Sequence, residues 1–164
     1  MSAFTLGLHI MKQRLSAGRM LVIWPLVAMF ILFSSWGLSD PKANILGGLV
    51  IDSAYDVMFA STAFIGLTAS LGAVLISFDG ISRDRLSGVL EVKLSQPLQR
   101  SVYARSLLIG HWLAIFLPVL ILNLVSLLVI WHRMDDLPTL EELFIYNLGT
   151  GLFLLWWTSI QLLA

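Results

Sequence analysis

Apolar and polar positions alternate along the chain in long blocks. Four stretches lack Asp, Glu, Lys and Arg altogether, at about residues 20–38, 57–78, 106–131 and 143–164. A helix needs roughly 20 apolar residues to cross about 30 Å of hydrocarbon, so each stretch predicts a membrane span. The third is long enough to tilt or to project beyond the bilayer. Ahead of the first span, Phe4, Leu8, Met11 and Leu15 recur at helical spacing, while His9, Lys12, Gln13 and Arg14 take the other side. That pattern predicts a helix lying flat at headgroup level. Between the second and third spans, Leu86, Leu90 and Leu94 repeat every four residues, joined by Val89, among Arg83, Asp84, Arg85, Ser87, Glu91 and Ser95. Ser82 offers a cap for a short helix there. Pro97 ends it, because the residue before a proline avoids helical geometry. This helix is too short and too charged to cross, so it is predicted to lie on the membrane surface with one face open to another protein. The expected fold class is all-α, a polytopic membrane helix bundle with an N-terminal interfacial helix and a short surface helix in the loop of about residues 79–105.

Composition agrees with lipid as the solvent. The 164 residues are 58% hydrophobic and 12% charged, with a mean hydropathy of +0.89. Soluble domains carry about 25% charge. The first apolar run, Met20 to Leu38, is too long and too far from the start for a signal peptide. Trp112 and Trp131 stand 19 residues apart, or roughly 28 Å along a helix, which predicts one indole at each membrane interface. Trp24 and Trp36 flank much of the first span. Eight of the ten Lys and Arg residues fall before the first span or between the second and third. By the positive-inside rule, the N-terminus and loop 79–105 are expected to be cytoplasmic, in a multi-pass protein of the cell membrane. The sequence stops at Ala164 inside an apolar run with no basic anchor after Gln161, which leads to the expectation of a C-terminally truncated domain over residues 1–164.

The charged loop resembles the coupling-helix region of type 2 ATP-binding-cassette permeases. That family shows an acidic and basic cluster, then Gly-Thr-Leu-Glu, several leucines, and a proline followed by a basic residue. The matching positions are Asp84, Arg85, Gly88, Leu90, Glu91, Leu94, Pro97 and Arg100, followed by Tyr103-Ala104-Arg105-Ser106 leading into the third span. Val89 stands where the family usually has threonine, and Lys93 interrupts the leucine run. The likeness covers nearly the whole chain in layout and about residues 79–112 in motif; the loop alone also resembles the subgroup associated with copper-enzyme maturation. The resemblance implies a six-span domain of which four spans are present, acting as the permease of an ATP-driven exporter. It implies a cytoplasmic ATP-binding-cassette ATPase docked on the short helix, and a second copy or a homologous permease beside it. The Leu86/Leu90/Leu94 stripe is free to pack against the spans or to enter the ATPase, and the pattern does not choose.

Other chemistry is scarce. There are no cysteines, so disulfides, thiolate metal sites and cysteine nucleophiles are excluded. No Gly-Lys dipeptide occurs, hence no P-loop, and ATP hydrolysis would fall to a partner. Zero net charge argues against nucleic acid. His111 and His132 lie roughly 31 Å apart along one helix, too far to share a haem or a metal, and both are expected at interfaces. No catalytic residue, metal or cofactor is expected. No acid lies within a span, which disfavours ion-driven transport. Among polar span residues, Asn123, Asn147 and Gln161 are candidates for a path or for interhelical bonds. Small residues at Gly66, Ser70 and Ala73, with Thr62 and Ala69, predict close helix packing of the second span, at the bundle centre or a dimer seam. Pro118 predicts a kink in the third. A rival function is a non-transporting membrane anchor or assembly subunit of a larger complex.

Overall fold

The computed structural model describes residues 2–18, 20–40, 51–77 and 100–163. Among these residues there are five helices and no strand: α1 Ala3–Leu15, α2 Met20–Leu38, α3 Ala54–Ser77, α4 Arg100–Met134 and α5 Leu140–Leu163. Four of them, α2 to α5, are long and apolar enough to cross a membrane. The architecture is a helical membrane bundle, as the charge-free stretches predict.

Three of the spans begin earlier than hydropathy alone indicates, and capping explains two of these extensions. Ser53 and Asp56 form a reciprocal cap on α3, the Asp56 Oδ2 accepting from the Ser53 amide at 3.0 Å and the Ser53 Oγ from the Asp56 amide at 3.2 Å. Thr139 and Glu142 do the same for α5, at 2.7 and 3.3 Å. The third, α4, is 35 residues long, or about 52 Å. It exceeds the bilayer and carries Arg100 and Arg105 on its first turns. It runs through Pro118 as one helix. It ends at Asp135, whose φ of 54° is the left-handed conformation that terminates helices and that aspartate tolerates.

Contacts between helix ends fix the topology. At one end, the C-termini of α2 and α4 and the N-terminus of α3 meet. Arg133 Nη2 donates to Asp40 Oδ2 at 3.1 Å, the guanidinium lies 4.6 Å from the Trp36 ring centre, and Asp136 Oδ2 accepts from the Ala54 amide at 2.8 Å. The C-terminus of α3 and the N-terminus of α4 therefore lie at the opposite end, where α1 also lies. Within the bundle α3 touches α2, α4 and α5, and it is the most enclosed of the four long helices. Ile31, Val57, Met58, Ile115, Val119, Ile130 and Leu154 fill the core. Leu21, Val22, Phe33, Phe59, Leu67, Leu128, Phe144 and Trp156 point outward and are exposed. Lipid would cover such an apolar exterior.

Candidate functional site

Most of the sequence-predicted coupling residues, namely Asp84, Arg85, Gly88, Leu90, Glu91, Leu94 and Pro97, lie outside the described residues. Arg100 is described: it is the first residue of α4 and is exposed. What the structure does describe is the pairing of α1 with the start of α4, the helix that begins at Arg100.

α1 is not a loose surface helix. It is capped by Ser2, whose Oγ accepts from the Thr5 amide at 3.2 Å, and it makes the most extensive helix pairing of the molecule, with α4. The pairing depends on two glycines. A Cβ on Gly110 would stand 2.7 Å from Ile10 Cγ2 and 2.8 Å from the Gly7 carbonyl oxygen; one on Gly7 would stand 2.9 Å from Ile109 Cγ2. Only bare backbone permits this approach. The buried face of α1 is thus Gly7 and Ile10, while Phe4 and Leu8 stay exposed and Met11 and Leu15 are half-buried. His111, expected at an interface, is fully buried beside this contact; its Nδ1 donates to the Leu107 carbonyl at 2.7 Å.

Further along α4, a seam with α5 carries the remaining candidates. Trp112 was expected to mark an interface. Instead its half-buried indole turns toward α5: Nε1 donates to the Gly151 carbonyl at 2.9 Å, and the ring stacks on Phe116 at 5.2 Å and 6°. Trp131 is 53% exposed, the exposure a belt residue would have. Asn123 and Asn147 come together, with Asn123 Nδ2 donating to Asn147 Oδ1 at 3.2 Å and Asn147 Nδ2 donating to the Leu143 carbonyl at 2.9 Å. Gln161 is half-buried and 14 residues farther along α5, about 21 Å away, so it is not part of that pair. On α3, Ala73 is fully buried, Gly66 faces Phe153 at 3.9 Å, and the Ser70 carbonyl accepts from Trp157 Nε1 at 3.3 Å. The Ser70 hydroxyl bonds back to the Gly66 carbonyl. Ser34, Ser35, Thr68, Ser126 and Thr158 likewise bond to carbonyls of their own helix. Most hydroxyls in the spans therefore satisfy themselves locally, and the cross-helix bonds come mainly from Asn and Trp, with a longer contact of 3.5 Å between the Ser61 and Tyr146 hydroxyls.

The asparagine pair makes a measurable prediction. Interhelical hydrogen bonds in membranes average about 0.6 kcal/mol. Asn123→Leu should cost about 1 kcal/mol in detergent unfolding, because it leaves Asn147 short of a partner. The double variant with Asn147→Leu should recover much of that loss, since neither amide then remains. A double variant less stable than the sum of both singles would show that the pair does more than satisfy itself.

Among the described residues no group of three or more His, Asp or Glu is placed to hold a metal. The chain matches no family model, no curated protein and no solved structure.

Proposed function

We propose that this chain is the transmembrane permease part of an ATP-driven exporter, with the N-terminus and the segment between α3 and α4 on the cytoplasmic side. One observation carries most of the reading: α4 starts at Arg100, three residues after Pro97 of the coupling-helix-like stretch, and continues unbroken for 35 residues. A push on that stretch would enter one continuous helix, about 52 Å long, that reaches the opposite end of the bundle. There Arg133 and Asp136 tie it to α2 and α3. The same stretch would dock an ATP-binding-cassette ATPase, and two permease copies, or a homologous pair, would line the path. Asp84, Arg85, Gly88, Leu90, Glu91 and Leu94 would form the docking helix, and Pro97 and Arg100 its hinge to α4.

Two measurements test this. Purification in mild detergent should retain an ATP-binding-cassette ATPase; recovery with none would favour a membrane anchor or assembly subunit. In a reconstituted complex, Glu91→Lys should leave the spans inserted and ATP hydrolysis measurable while reducing transport at least tenfold. Normal transport by that variant would remove Glu91 from the coupling surface.

A further inference from the structure

Among the described residues, the end of the bundle that carries α1 is electrically one-sided: it holds Lys12, Arg14, Arg100 and Arg105 and no acid. In the sequence, the segments before the first span and between the second and third hold eight Lys or Arg residues against Asp79, Asp84 and Glu91, whereas the other two connections hold Lys42 and Arg133 against seven acids. The three acids and three of the bases belong to residues 78–99 and cancel, so the surplus comes from α1, the link to α2, and the start of α4. Neither α1 nor the first eleven residues of α4, residues 100–110, contains an acid. Lys12, Arg100 and Arg105 are all exposed there. Arg105 adjoins Ser106, whose carbonyl lies 3.3 Å from the position of a Gly7 Cβ, so the Arg105 backbone lies next to α1, the helix that carries Lys12. Beside them, Phe4 and Leu8 are 58% and 37% exposed although α1 is packed along its other face.

We propose that α1 and the first turns of α4 form a docking surface for the anionic headgroups of an acidic bilayer leaflet. Phe4 and Leu8 enter the acyl boundary while Lys12, Arg100 and Arg105 meet lipid phosphates. Charge complementarity selects this occupant: an all-basic surface with adjoining exposed apolar side chains matches a negatively charged membrane. Because Gly7 and Gly110 hold α1 and α4 in backbone contact, lipid bound to one helix positions both. The lipid composition of the leaflet thereby sets the position of α4's first turn. This holds whether or not the chain transports anything.

The absence of native cysteine allows a direct test on the whole chain. Leu8→Cys labelled with bimane is placed in nanodiscs of phosphatidylcholine mixed with phosphatidylglycerol, with one of the two lipids brominated. Brominated phosphatidylglycerol should quench the label several-fold more than brominated phosphatidylcholine at equal content. Raising salt should erase the difference. Neutralising Lys12, Arg100 and Arg105 together to glutamine should also erase it, with helix content and monodispersity unchanged. The salt titration needs no charge variant, so misfolding of the triple variant would not shield the proposal. Equal quenching by both lipids at low salt would overturn it. So would full relief of quenching by inorganic phosphate at an ionic strength where chloride has no effect, because that would mark a free-anion site instead of a lipid surface.

Discussion

A Gly110→Leu variant should unfold far more readily than the native chain, by roughly 3 kcal/mol, at the top of the usual overpacking range. Every 1.4 kcal/mol is a tenfold change in the equilibrium, so the folded population would shift by about two orders of magnitude. The reason is the identity of the atoms met. At Gly110 a Cβ would stand 2.8 Å from the Gly7 carbonyl oxygen as well as from Ile10. A side chain can rotate away, but a helix backbone moves only if α1 lifts off α4. Gly110→Ala should fall between native and leucine. Adding Ile10→Ala should rescue the alanine variant in part, because it removes the side-chain contact and leaves the carbonyl. Gly149→Leu is the control: nothing lies within 4 Å of its Cβ position on α5, so stability should hold or rise slightly. Lifting of α1 is read independently by tryptic cleavage after Lys12 and Arg14. If Gly110→Leu keeps native stability and native cleavage rates, the two helices do not pack through their glycines.

That contact shows where sequence reading stops. The spans were legible because charge is excluded from hydrocarbon at high cost, and α2 has the limits that hydropathy gave. The earlier starts of α3 and α5 were legible too, in Ser53-Ala54-Tyr55-Asp56 and Thr139-Leu140-Glu141-Glu142, which are capping signals that a search for charge-free runs discards. Facing was not legible. Lipid and core are equally apolar, so nothing in the composition of α4 says that Ile115 and Val119 are buried while Ile121 and Leu128 face outward. On α1 the visible periodicity belonged to Phe4, Leu8, Met11 and Leu15, whereas the face that binds α4 centres on Gly7 and Ile10. A glycine has no side chain to register in any hydrophobic pattern. That Asn123, Asn147 and Gln161 need partners was suggested by cost alone, since a primary amide in lipid must find one, but that Asn123 finds Asn147 depends on helix order. The coupling-like stretch rests on sequence resemblance, and only Arg100 of its matched residues is placed.

Trp112 should prove the strongest single tie between α4 and α5. Trp112→Ala is expected to cost about 3 kcal/mol, the low end for deleting a large aromatic group from a packed site. Two losses contribute and can be separated. Trp112→Phe keeps a ring to stack on Phe116 and loses only the indole donor, so it should cost about 0.6 kcal/mol, the mean for interhelical hydrogen bonds in membranes. The Gly151 carbonyl lies in the interior of α5, where helix geometry supplies its own N–H donor. The indole is a second partner on its free lone pair, and its loss orphans no acceptor. The larger part of the alanine penalty then belongs to the stack, whose collapse also frees Phe116 from Gly151, where a Cβ would stand 2.9 Å from the ring. The solvent dependence of the effect decides between an interhelical role and an interfacial one. An interfacial anchor gains from headgroups, so its removal would matter in bilayers and little in detergent. A tie between two helices costs the same in both. Unfolding of the three proteins in detergent micelles and in bicelles should therefore give one order and one spacing: native, then phenylalanine slightly weaker, then alanine far weaker. A penalty confined to bicelles would place the Trp112 indole at the membrane surface and separate it from Gly151.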